Sequence, residues 1–118
     1  IDVIFNSSML GCAISIYTIT GAATSASDTM TNVDTDPLAG SITVPAGGAV
    51  VTVAGASFRS TTTFNYTNAT KDHDAVFDSD FHFSTARSTA SGTYTITADA
   101  DGNTSGDSML AAVAFDVA

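Results

Sequence analysis

Residues 93–98 read Thr-Tyr-Thr-Ile-Thr-Ala, and this alternation decides the fold class. Successive side chains of an extended chain point to opposite sides. Tyr94 and Ile96 therefore share one face, and Thr93, Thr95 and Thr97 share the other. That is the pattern of a half-buried β-strand, and β-branched threonine suits it. The same alternation recurs at Gly11–Thr20, Ala49–Ala54, Thr61–Thr67, Val76–Phe83 and Met109–Val117. Thr61–Thr67 sets Phe64 and Tyr66 against Thr61, Thr63, Asn65 and Thr67. Gly11–Thr20 and Met109–Val117 carry apolar residues on both faces, as central strands do. A shorter run, Ser41–Val44, stops at Pro45-Ala46-Gly47-Gly48, a tight turn after which Ala49–Ala54 is expected to hairpin back beside it. With Ile1–Phe5 the count comes to about eight strands, and no stretch carries a helical stripe. The expected fold is all-β: an antiparallel β-sandwich, jelly-roll-like, in one domain over residues 1–118. Gly21–Asp36 is small and polar, with a short strand at Thr29–Val33 at most, and reads as a loop suited to partner contacts.

Composition narrows the class further. The chain is 44% apolar and only 13% charged, which suits a globular domain. All twelve acidic residues are Asp, a turn-favouring residue, and Glu is absent. Three basic residues, Arg59, Lys71 and Arg87, leave a net charge of −9. A chain so acidic repels phosphate backbones and anionic bilayers, so neither nucleic acid nor membrane is an expected partner. Cys12 is the single cysteine and forms no internal disulfide; beside Ile14 and Ile16 it reads as a small core residue, with a reactive thiol as the alternative. No transmembrane run is present. The first residue is Ile, and Ile1–Phe5 resembles the middle or end of a strand, so the chain reads as processed, trimmed or part of a longer protein.

Two acidic clusters are candidate metal sites. Asp78, Asp80 and His82 share one parity, opposite to Phe77, Phe81 and Phe83, and lie just beyond Asp72-His73-Asp74. Residues two apart on one strand face sit about 6.6–7 Å apart, so two carboxylates and an imidazole can converge on zinc or manganese. The plain alternative is a solvated strand face that guards a sheet edge. Asp99, Asp101, Asn103 and Asp107 copy the opening of a calcium loop, but Thr104 stands where the EF-hand needs Gly and Leu110 where it needs Glu. A looser calcium turn or a plain hairpin loop remain for that segment. Gly106-Asp107-Ser108 lacks the strand–turn–helix setting of a hydrolase nucleophile, and no phosphate loop or dinucleotide fingerprint exists. Asn6, Asn65, Asn68 and Asn103 head glycosylation sequons. Aromatic residues gather between Phe58 and Phe83, as one end of the core or as a binding face that lacks the Trp usual for sugars.

Four segments carry a family resemblance: CAISIYTITG at Cys12–Gly21, SITVPAGGAVV at Ser41–Val51, TTFNYTNATKDHD at Thr62–Asp74, and the ending Thr93–Phe115. In this order they resemble β-rich domains of tailed phages and phage-like gene transfer agents, from residue 12 onward. The family pattern has Trp where Tyr66 stands here. The resemblance implies a non-enzymatic virion structural protein: a capsid decoration, a head fibre or a tail-associated component. It carries no catalytic residues. It implies the major capsid or other virion proteins as partners, self-assembly as a homo-oligomer, and location in the particle. The alternative is a secreted carbohydrate- or surface-binding module, with calcium as its one candidate cofactor.

Overall fold

The alternation is realised as eight antiparallel strands in two sheets, with no helix among the described residues. The structure is a computed structural model that describes residues 14–35, 37–57, 63–77, 81–101 and 108–118. The strands are β1 (Ala22–Val33), β2 (Leu38–Val44), β3 (Ala49–Ala56), β4 (Phe64–Thr67), β5 (Thr70–Phe77), β6 (Phe81–Ser88), β7 (Gly92–Ala100) and β8 (Ser108–Val117). One sheet runs β1-β8-β3-β6-β5 and the other β2-β7-β4. β1 pairs with β8, β2 with β7 and β3 with β6, so the chain is a long hairpin rolled up on itself. That nesting is the logic of a jelly roll. The one departure is β5, which pairs with β6 at the edge of the larger sheet.

The core lies between the sheets, and the two contribute unequally. The three-stranded sheet supplies bulk: Leu38, Ile42, Val44, Phe64 and Ile96 are each at most 2% exposed. Each such side chain stabilises the fold by about 1.5–3 kcal/mol relative to exposure. Apart from Val50 and Leu110, the five-stranded sheet answers mostly with small residues, Ala54, Ala56, Ala86, Ala112 and Ala114, together with Ser84. Large against small lets the faces interlock at the usual sheet separation. Met30 of β1 closes one corner over Gly40 of β2, where a Cβ would collide with its sulfur. Beside it, the Thr43 amide donates to Asp28 Oδ2 at 2.7 Å, occupying a β2 edge donor that would otherwise face another chain.

Several expectations change. Most of Gly21–Asp36 is not loop but the twelve-residue edge strand β1. With only β8 beside it and an irregular register, β1 tolerates small polar residues that mimic a loop. Residues 14–19 of the expected strand Gly11–Thr20 form no strand and instead lie as a strap across the five-stranded sheet. The expected strand Val76–Phe83 is the end of β5 and the start of β6. The Pro45–Gly48 turn exists, with the Gly48 amide donating to Pro45 O at 2.9 Å and Gly47 at φ 81°. It does not close a hairpin, because β2 and β3 belong to different sheets. A Cβ on Gly48 would strike the Phe115 carbonyl, so the corner needs glycine for close approach as well.

Candidate functional site

Register fixes which side chains of the five-stranded sheet share a face, because directly paired residues point the same way. His82, Ser84 and Ala86 of β6 pair with Ala56, Ala54 and Thr52 of β3, and all six face the core. The intervening residues therefore point away from the core. These are Phe81, Phe83 and Thr85 on β6, Val51 and Val53 on β3, and Met109, Ala111, Val113 and Phe115 on β8. This outer face is broad, apolar and only partly covered.

What covers it is the strap. Ser15, Tyr17 and Ile19 turn towards the sheet and border a groove of about 480 Å³ over Val51, Val53, Val113 and Phe115. Tyr17 latches the strap. Its hydroxyl lies 2.9 Å from Asp72 Oδ2, to which it donates, and 2.8 Å from Thr85 Oγ1. Burial and then the Asp72 carboxylate raise this phenol above its ordinary value. Asp72 is held in turn by Arg87 Nη1 at 2.8 Å. Beyond the latch the strap leaves Ile14 and Ile16 54% and 64% exposed. Phe81 and Met109 of the sheet itself remain 42% and 46% exposed.

A polar cluster sits on the opposite, inner side. His82 is 1% exposed, its ring meets Phe64 edge-on at 5.4 Å, and its Nε2 is hydrogen-bonded to Asp74 Oδ1. Asp74 Oδ2 accepts from Lys71 Nζ at 2.6 Å and from the Thr63 hydroxyl. Burial alone would raise the Asp74 carboxyl, but the bonds from Lys71, Thr63 and His82 outweigh it and hold the carboxyl below its ordinary value. Thr63 is tied to Asp101 through both its amide and its carbonyl, at 3.0 and 3.1 Å. The cluster thus staples β5 and β6 to the segment leading into β4. Buried as it is, His82 has no surface from which to meet a substrate.

The residues singled out from sequence fare differently. His82 points inward, not outward as its parity with Asp78 and Asp80 suggested, and Phe81 is the exposed neighbour. Asp78 and Asp80 lie outside the described residues, as do Asn103, Asp107 and Cys12. Asp99 and Asp101 are exposed at the end of β7. No group of three or more metal-ligating side chains comes together among the described residues. Asn68, head of a sequon, stands at φ 63° in the β4–β5 turn and donates its amide to Thr95 O at 2.8 Å, a structural use of the nitrogen a glycan would take. Sequence reasoning missed the outer face. The available signal was the shared parity of Phe81 and Phe83, within the aromatic run for which core and binding face stood as alternatives.

No protein-family model and no curated protein matches the chain. Among solved structures, the tripod BppUct-A-L from the baseplate of bacteriophage Tuc2009 is similar at a TM-score of 0.41 and 14% identity, covering 97% of this chain and 79% of that one.

Proposed function

We propose that this chain is a non-enzymatic structural component of a phage-like particle, held there through the outer face of its five-stranded sheet. The observation that carries the reading is that face. Of the seven large hydrophobic side chains left exposed among the described residues, Ile14, Ile16, Val33, Phe81, Met109 and Val117 lie on it or on the strap across it; the seventh, Val76, does not. Contiguous apolar surface of this kind marks an interaction site. The phage-domain resemblance of Cys12–Gly21, Ser41–Val51 and Thr62–Asp74 supports the same reading. The polar clusters serve the fold: one staples strands together and the other latches the strap. The partners are the major capsid or other virion proteins together with further copies of the chain, and decoration, head-fibre and tail positions are its candidate places. Mass spectrometry of purified particles from the source, with copy number set against the major capsid protein, tests this. A copy number near one per capsid subunit indicates decoration, and a small multiple of three, five or six indicates a fibre or tail. Absence from particles overturns the proposal.

A further inference from the structure

We infer that residues 1–13 of the same chain cover the open end of the outer face, the end formed by Val33, Phe81, Phe83 and Met109. The inference goes beyond the reading of this face as a point of attachment, because it divides the face. The open end belongs to the chain itself, and the outward side of the strap, with Ile14 and Ile16, is left to the particle.

The path of the strap fixes where the segment starts. The chain meets the last strand at Gly21, whose carbonyl accepts from the Ala118 amide at 2.7 Å. It crosses to β6, where the hydroxyls of Tyr17 and Ser15 lie 2.8 and 3.5 Å from Thr85 Oγ1. Ile14 borders the same groove, so residues 1–13 join the described chain on the outer face itself. Along β6 from Thr85, Phe83 is about 7 Å away and Phe81 about 13 Å. There the face is a continuous apolar floor. Gly55 pairs with both Phe83 and Met109, and Met109 pairs with Val33. A Cβ on Gly55 would lie 3.3 Å from Phe81 Cζ and 3.6 Å from Met109 Cγ, so the Phe81 ring lies down over the glycine.

Length and composition match this floor. Thirteen extended residues reach about 43 Å, and five strands span about 19 Å between the outer two, so the segment can cross the sheet and turn back. It carries Ile1, Val3, Ile4, Phe5, Met9 and Leu10, and a single charged side chain, Asp2. Ile1, Val3 and Phe5 share one parity, with Asp2 on the other, so an extended chain can turn the three towards a sheet and the carboxylate to water. The other sheet offers no equivalent. Its outer face carries Ser41, Thr43, Thr93, Thr95 and Thr97, hydroxyls that leave apolar side chains without partners. Attachment at Ile14 selects this chain's own segment over a neighbour's, because a short tether holds it at an effective concentration on the order of millimolar.

Paramagnetic relaxation on the full chain tests the inference. A nitroxide is placed on Ser7→Cys, a polar position, in a Cys12→Ser background. The expected result is broadening of the amide signals of Val33, Gly55, Phe83 and Met109, with Thr93 and Thr95 of the other sheet far less affected. A mixture of isotope-labelled chain without nitroxide and unlabelled chain with it should show no such broadening. Urea unfolding supplies a second measurement. Phe5→Asp and Met109→Asp should each lower the folding equilibrium constant at least about tenfold, because each strips an apolar side chain from a covered contact. Together they should cost less than the product of the two, since they break one contact.

Broadening that is absent, or confined to the other sheet, overturns the inference. So does broadening that persists in the mixture, since the occupant is then a neighbouring copy's segment. Stability within about twofold of the parent in both aspartate variants overturns it as well, because that is the response of a face open to water. Intramolecular broadening in a chain absent from particles leaves this inference standing and removes the proposed function. A particle-borne chain without broadening does the reverse.

Discussion

The two sides of the five-stranded sheet invert the usual rule. Its inner side, sealed against the other sheet, carries Val50 and Leu110 but is otherwise small or polar: Ala54, Ala56, Ala86, Ala112, Ala114, Ser84 and the imidazole of His82. Its outer side, only partly covered, carries Phe81, Phe83, Val51, Val53, Val113 and Phe115. Most of the larger apolar residues of β3, β6 and β8 are on the less buried side. Core volume explains the inner side: Phe64, Leu38, Ile42 and Ile96 fill much of the space from the opposite sheet, so most of the facing residues are small and only Met30, Val50 and Leu110 add bulk. Nothing so simple explains the outer side, where bulk is provided without an equal layer among the described residues to meet it.

The sharpest way to break this comparison is to remove bulk from each side in turn. Phe64→Ala should cost about 3–5 kcal/mol, since a fully buried ring is lost and His82 loses its packing partner. Val113→Ala on the outer side should cost about 1 kcal/mol in dilute monomer. Urea unfolding of both variants decides it, and equal losses would mean that the outer face is already sealed by the chain itself.

The polar staple offers a second test. Asp74→Asn should destabilise by about 1–2 kcal/mol, the loss expected when bonds to a charged acceptor go and partial exposure screens the Lys71 contribution. Its pH dependence has a definite sign. The folded carboxyl titrates below its ordinary value of 3.8, so its contribution is complete above about pH 4 and disappears as pH falls through the lower folded value. The variant should show a shallower loss of stability below pH 4 than the parent. Parallel acid profiles would remove Asp74 from the account.

The latch on the outer side provides the third. Tyr17→Phe deletes the hydroxyl that meets Asp72 and Thr85, and should cost about 1 kcal/mol. Hydrogen exchange should quicken over residues 14–20 while β3 and β8 stay protected. Unchanged exchange in the strap would show that packing of Ile19 and Ser15, not the phenol, holds it down.

The smallest expected effect has the opposite sign. Thr52 is 1% exposed among the inward alanines, and its hydroxyl has no hydrogen-bond partner among the described residues. Thr52→Val should stabilise by about 0.5–1 kcal/mol, because it removes a desolvated polar atom at nearly constant volume. Destabilisation in thermal melts would mean that the hydroxyl is satisfied after all.

Much of this architecture was legible in the chain. Thr93–Ala98 and Met109–Val117 fall within β7 and β8, and Ala49–Ala54 within β3. They were readable because two-residue alternation is a local property of extended backbone. β1 was not, since an edge strand with one neighbour needs no apolar stripe. The metal candidates were only half legible: alternation placed Asp78, Asp80 and His82 on a common parity without saying which side that parity faces.

The sequence by itself determined an all-β chain, its net negative charge and its glycine corner, because each follows from residue type and spacing alone. The expected number of about eight strands agrees, but its members differ: Ile1–Phe5 lies outside the described residues, residues 14–19 form no strand, Val76–Phe83 spans two strands and β1 read as a loop. The tertiary structure alone decided that His82 is inside and Phe81 outside, that β2 and β3 part into different sheets, and that a strap crosses the larger one. The physical reason is that alternation divides a strand into two faces but is blind to which is buried. That choice is made by the volume the opposite sheet has already filled and by the partner waiting for the imidazole, here Phe64 and Asp74.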